Sequence, residues 1–153
     1  MSYAGFWKRF AAAFIDLLIT SAVGGFVVPI VGLLYAASTG TVVGAEFVGL
    51  IAGALVKWIY SATFESSAKQ ATLGKMALGI KVTNIDGTRI GFGTATLRHF
   101  GKIVSFSTLF IGYIMVAFTE KKQGLHDIMA GCLVVNKSED NNPTEYATLR
   151  SPH

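Results

Sequence analysis

Between Arg9 and Lys57 the chain carries no lysine or arginine, and its only acids over that stretch are Asp16 and Glu46. A soluble helix of such length needs a polar face, and none can be assembled from these residues. The composition agrees: 52% of the 153 residues are hydrophobic and 14% are charged, with a mean hydropathy of +0.52. Soluble domains carry nearer a quarter charged residues. The sequence therefore predicts an integral membrane protein, and the length allows a single domain.

Basic residues flank the apolar blocks, so the net charge of +4 follows the positive-inside pattern. No free-standing patch of interleaved aromatic and basic residues points to nucleic acid. Lys8 and Arg9 precede an apolar run as in a signal peptide, but Asp16 interrupts the run, which also continues beyond signal length. Cys132 is the only cysteine and can form neither an internal disulfide nor a multi-cysteine metal site.

About twenty apolar residues span a bilayer core. The first block, Phe10 to Ala37, exceeds that length, with a bend or early ending expected at Pro29. The turn "STGT" (Ser38–Thr41) leads to a second block, Val43 to Phe64, giving an antiparallel helical hairpin. The third block, Ile103 to Phe118, has Arg98 and Lys102 before it and Lys121 and Lys122 after it. A re-entrant helical hairpin turning near Ser105–Leu109 keeps both pairs on one face, and a single short span is the alternative.

Between the second and third blocks, "QATLGKMALG" reads as a short surface helix ended by Gly79. "IKVTNIDGTRIGF" reads as a β-hairpin turning at Asp86–Gly87, followed by a helix beginning near Ala95 with Thr94 as N-cap. "GCLVVNK" supplies a further strand, with Leu133–Val135 expected to join Ile80–Asp86. The predicted fold class is thus an all-α membrane bundle, two long transmembrane helices plus a third span or re-entrant hairpin, with a small cytoplasmic antiparallel β-sheet. Residues 1–137 form the membrane domain, and 138–153 read as a flexible polar tail.

An ionised group inside a membrane needs a partner. Counting inward from Arg9 and from Glu65, Asp16 and Lys57 both lie about 10–12 Å below the same face. Two depth-matched pairs follow as expectations: Asp16 with Lys57, and Arg9 with Glu65. Such ions either lock helix packing or form a proton or cation site. Glu46 is expected near the opposite interface. His126 and Asp127 form a dipeptide in "GLHDIMAG", too few ligands for a metal on their own; a pair capping the short helix after Gly124 and contacting basic residues is the expectation. No triad, phosphate loop or pair of catalytic carboxylates stands out, so neither an enzyme nor a bound cofactor is expected.

"WKRFAAAFID", "FESSAKQATLGKMALGIKVTNIDG", "LRHFGKIVS" and "KKQGLHDIMAGCLVV" together resemble the RDD family of small bacterial membrane proteins, departing from it at "KKQ", where an arginine is expected. The resemblance implies that the family's arginine and two aspartates are Arg9, Asp16 and Asp127. It also implies a multi-pass protein of the inner (cytoplasmic) membrane. The implied function is transport, including monovalent cation/proton antiport at a buried aspartate; a non-catalytic accessory or scaffold subunit is the alternative. Expected partners are the lipid bilayer and, for so small a chain, a second copy or another membrane protein.

Overall fold

The computed structural model describes residues 2–107 and 111–137. Two helices dominate it, α1 (Phe6–Thr39) and α2 (Ala45–Ser66). At 1.5 Å per residue they measure about 51 and 33 Å, each enough for a hydrocarbon core of about 30 Å. Both are long and apolar enough to cross a membrane, and only 6% and 17% of their most apolar windows are buried within the chain. The core helix of a soluble protein would be mostly covered, whereas these present their apolar surface outward.

Their packing is antiparallel: Gly32 lies against Ala45, Val28 against Gly49 and Gly53, and Asp16 against Tyr60. A Cβ on Gly49 would stand 2.4 Å from the Val28 carbonyl oxygen, so the backbones touch there. α1 runs through Pro29 without ending, so of the expected bend or early ending the ending does not occur. One missing donor costs less than opening a helix within hydrocarbon, where every backbone group must be satisfied internally.

The remaining elements gather at the Arg9 and Glu65 end of the hairpin. α3 (Leu73–Ala77) is the expected short helix, and Gly79 follows it in the left-handed region. β1 (Ile80–Asn84) pairs antiparallel with β2 (Cys132–Asn136), Val82 opposite Val134, as expected for the "GCLVVNK" segment. The return strand of the predicted hairpin does not form. The Asp86–Gly87 turn is present, closed by Asn84 N–H donating to the Thr88 carbonyl at 2.9 Å, but Ile90 then turns into the core. The free edge of β1 is met by Gln70, whose carbonyl accepts from Val82 N–H at 2.7 Å and whose side-chain amide donates to the Val82 carbonyl at 2.9 Å.

The outer edge of β2 is covered by the chain's own beginning. Tyr3 bridges Val135, Ala4 N–H donates to the Val134 carbonyl, and Asn136 N–H donates to the Ser2 carbonyl. Two isolated strands are marginal, and these additions cover both edges. Ala4, Ala12, Ala62, Ile80, Val82, Ile90, Ala95, Cys132 and Val134 form the buried core. It sits where sheet and helix ends meet, not along the candidate spans.

α4 (Phe92–Ser107) begins earlier than Ala95, because Ala95 N–H already bonds to the Gly91 carbonyl. Thr94 therefore lies inside the first turn. α5 (Ile111–Phe118) and the short α6 (Leu125–Met129) complete the fold. Part of the candidate Ser105–Leu109 turn falls on residues 108–110, and the expected tail on 138–153; both lie outside the described residues.

Replacing Gly49 by Ala should lower stability by about 1–3 kcal/mol through the forced separation of α1 and α2. Gly24→Ala, where an added Cβ meets nothing within 4 Å, should be neutral or slightly stabilising. Thermal unfolding of the two variants in the same detergent checks the contrast.

Candidate functional site

α6 is five residues long, and Asp127 closes its first turn by accepting from Gly124 N–H at 3.2 Å while Asp127 N–H donates to the Gly124 carbonyl. This reciprocal cap fixes a fully buried carboxylate. One oxygen, Oδ2, accepts from Arg9 Nη1; the other, Oδ1, accepts from Arg98 Nε at 2.7 Å. Arg98, itself 2% exposed, reaches with Nη1 to Glu65 Oε2 at 2.9 Å. The second Glu65 oxygen receives Lys75 Nζ, with Lys102 Nζ at 3.4 Å. A continuous ionic chain thus runs from α1 through α6 and α4 to α2 and α3.

Burial opposes ionisation of Asp127, yet the surrounding charges, Arg98 foremost, hold its carboxyl below the usual range. Burial also brings the His126 imidazole down to about 3, against the attraction of Asp127. His126 is therefore neutral at pH 7, with Nε2 3.5 Å from Asp127 Oδ1 and Nδ1 3.3 Å from the Ser105 hydroxyl.

Asp16 belongs to a separate site. Its Oδ1 accepts from the Tyr60 hydroxyl at 2.9 Å and from Gly74 N–H at 2.8 Å, and its Oδ2 accepts from the Thr72 hydroxyl at 2.5 Å. The Tyr60 oxygen in turn accepts from Leu73 N–H at 3.0 Å. Asp16 and Tyr60 thereby satisfy the orphan donors at the start of α3, acting as its N-cap from two other helices. Only glycine fits at position 74: a Cβ there would lie 2.2 Å from the Ala12 carbonyl oxygen and 2.9 Å from the Asp16 carboxyl carbon.

Neither depth-matched pair forms. Arg9 meets Asp127 and Glu65 meets Arg98, Lys75 and Lys102; Asp16 takes three neutral donors, and Lys57 is exposed beside Gly53. Depth along two helices had been matched without the elements that fold back over their ends, and those supply the nearer partners. Asp127 does cap α6 and contact basic residues, whereas His126 meets Asp127 and Ser105; both are buried rather than on a surface. Glu46 is exposed in the first turn of α2, favourable at a helix N-terminus.

Sequence reasoning missed Arg98, Lys75, Lys102, Tyr60, Thr72 and Gly74 as parts of these sites. Arg98 and Lys102 are four apart on one helix face, a signal that could have marked them as a pair aimed inward. Among the described residues no group of three or more His, Cys, Asp or Glu side chains converges as a metal would require.

Asp127→Asn removes the charge shared by Arg9 and Arg98 and should cost about 3–5 kcal/mol, the usual loss on breaking a buried pair, read by chemical unfolding in micelles. The pH dependence has a definite sign. Burial holds His126, and the surrounding cations hold Asp127, below their ordinary values of 6.5 and 3.8 in the folded chain, so the unfolded chain binds more protons as pH falls. The contribution of these two groups should be full above about pH 6.5, decline towards pH 3 as His126 resists protonation, and fall further as Asp127 is titrated. His126→Gln should flatten the upper part of that decline and leave the lower part, in melting curves between pH 7.5 and 3.

The sequence profile of the RDD family matches residues 3–131. The chain is 35% identical to the uncharacterized protein YxaI of Bacillus subtilis (strain 168), over 88% of this chain and 97% of that one. It is 32% identical to the uncharacterized membrane protein YteJ of the same organism, over 89% and 82%, and 31% identical to its uncharacterized protein YckC, over 86% and 83%. No solved structure matches. With the profile covering both the Arg9–Asp127 pair and the Asp16 cap, this chain is a membrane protein belonging to the RDD family.

Proposed function

We propose that the chain is a non-catalytic accessory or scaffold subunit of a membrane complex, with its buried charges acting as a folding lock. One observation carries this reading: the Asp16 carboxylate is held by Tyr60, Thr72 and Gly74 and caps α3. A backbone N–H cannot coordinate a cation, so an ion at Asp16 would have to displace the donor that anchors α3. Asp127 is likewise engaged on both oxygens. The outward apolar faces of α1 and α2 suit contacts with lipid or with other membrane helices.

The topology proposed with it is multi-pass, in the inner membrane, with the sheet on the cytoplasmic side. Lys8, Arg9, Lys75 and Arg98 all belong to the sheet end, in keeping with positive-inside bias. Pairing of β1 with β2 favours a re-entrant α4–α5 segment, because both strands share one side.

Transport of a monovalent cation, a proton or a small solute is the second reading. It is favoured by Asp16 having no cationic partner among the described residues, so that its carboxylate within a candidate span is held by neutral donors. Cation-driven proton movement in proteoliposomes separates the two. The scaffold reading expects no flux above empty liposomes with Na⁺, K⁺ or Li⁺, and a loss of about 1–3 kcal/mol in stability for Asp16→Asn as its cap donors go unmet. Flux in the wild type that vanishes in a folded Asp16→Asn would overturn it.

A further inference from the structure

The crossing of α1 and α2 leaves a groove of about 230 Å³, bounded by Leu17, Thr20, Ser21 and Gly24 on α1 and by Gly53 and Lys57 on α2. Lys57 stands at the end nearer the ionic chain. Among the described residues it has neither a carboxylate nor a hydrogen-bond acceptor. His99 lies within electrostatic reach of it, and the ring nitrogen Nδ1 of His99 is buried without a hydrogen-bond partner. The rest of the lining is apolar or small.

We infer that this groove holds one acyl chain of an anionic phospholipid, with the lipid phosphate at Lys57. Lysine extends its apolar stem along hydrocarbon and its ammonium towards the headgroups, and an ammonium within a bilayer is stable only with an anionic or polar partner. The surrounding charges favour an anionic headgroup: Arg9, Arg98, Lys75 and Lys102 give four positive charges against three carboxylates, Asp127, Glu65 and Asp16, a surplus of one. The largely apolar lining between Gly24 and Gly53 is the surface on which a hydrocarbon chain would lie. The site is independent of the scaffold or transport role of Asp16.

Native mass spectrometry of the full chain, released from micelles mixed with phosphatidylglycerol and phosphatidylcholine of equal chain length, tests this. The wild type should retain phosphatidylglycerol preferentially. Lys57→Gln should reduce that preference roughly fivefold, the contribution expected of one lysine towards anionic lipid, and Lys57→Arg should restore it. Gly24→Leu should expel both lipids by placing a side chain in the groove that Gly24 lines, where an added Cβ meets nothing within 4 Å. Thermal melting confirms the fold of each variant, and because the substitutions act on opposite ends of the site, either one alone is decisive. Unchanged lipid retention in a folded Lys57→Gln or Gly24→Leu overturns the inference. So does displacement of the lipid by millimolar inorganic phosphate or by palmitate, or a lipid-free dimer seated on the groove.

Discussion

The structure depends on one guanidinium. Arg98 donates to Asp127 through one nitrogen and to Glu65 through another, and among the described residues it is the only side chain that bridges the two carboxylates. A planar fork can do this where an ammonium, a point charge, would have to choose. Through it α4 is fastened to α2 and α6 at once, and Arg9 and Lys75 extend the attachment to α1 and α3. Buried ions are costly to desolvate, and a hydrophobic replacement of similar volume can be more stable. What the ions provide here is register: each cation finds its carboxylate only when five separate helices have arrived together.

Asp16 works by a different means. It exchanges no charge; it supplies oxygen atoms to a segment of about one and a half turns, too short to hold itself. A five-residue helix has hardly any internal hydrogen bonds, so α3 exists because Asp16, Tyr60 and the close backbone approach at Gly74 hold it. The position of Lys75 on Glu65 depends on that cap. The two sites are therefore coupled through α3, although no side chain joins Asp16 to the ionic network directly.

Much of the fold was legible because it follows from strong local signals. The interval without lysine or arginine marked both long helices; Gly79 and Gly124 marked the short ones; alternation in "IKVTN" marked one strand, and the apolar run in "CLVVN", with the need of a lone strand for a partner, marked the other and their pairing. The errors came where tertiary contacts compete with local ones. Asp86–Gly87 does form its turn, but the burial of Ile90 and the occupation of the β1 edge by Gln70 leave no place for a return strand. The charge partners were misassigned for the same reason. Depth along a helix is readable from residue counts, whereas which loop folds back over that depth is not, and the true partners of Arg9 and Asp16 come from segments 118 and 56 residues away.

The pairing of the first residues with the last strand sets the order in which the molecule can be completed. Ser2, Tyr3 and Ala4 lie along β2, and Arg9 waits for a carboxylate 118 positions later. At the usual pace of synthesis this separation lasts roughly 6–24 s, during which the end charges of the candidate spans α1 and α2 lack the partners that α6 and α4 supply. The sheet end can close only once β2 has been made. A nascent chain cut before β2 would hold both long helices, but Ser2, Tyr3 and Ala4 would have no strand to lie along.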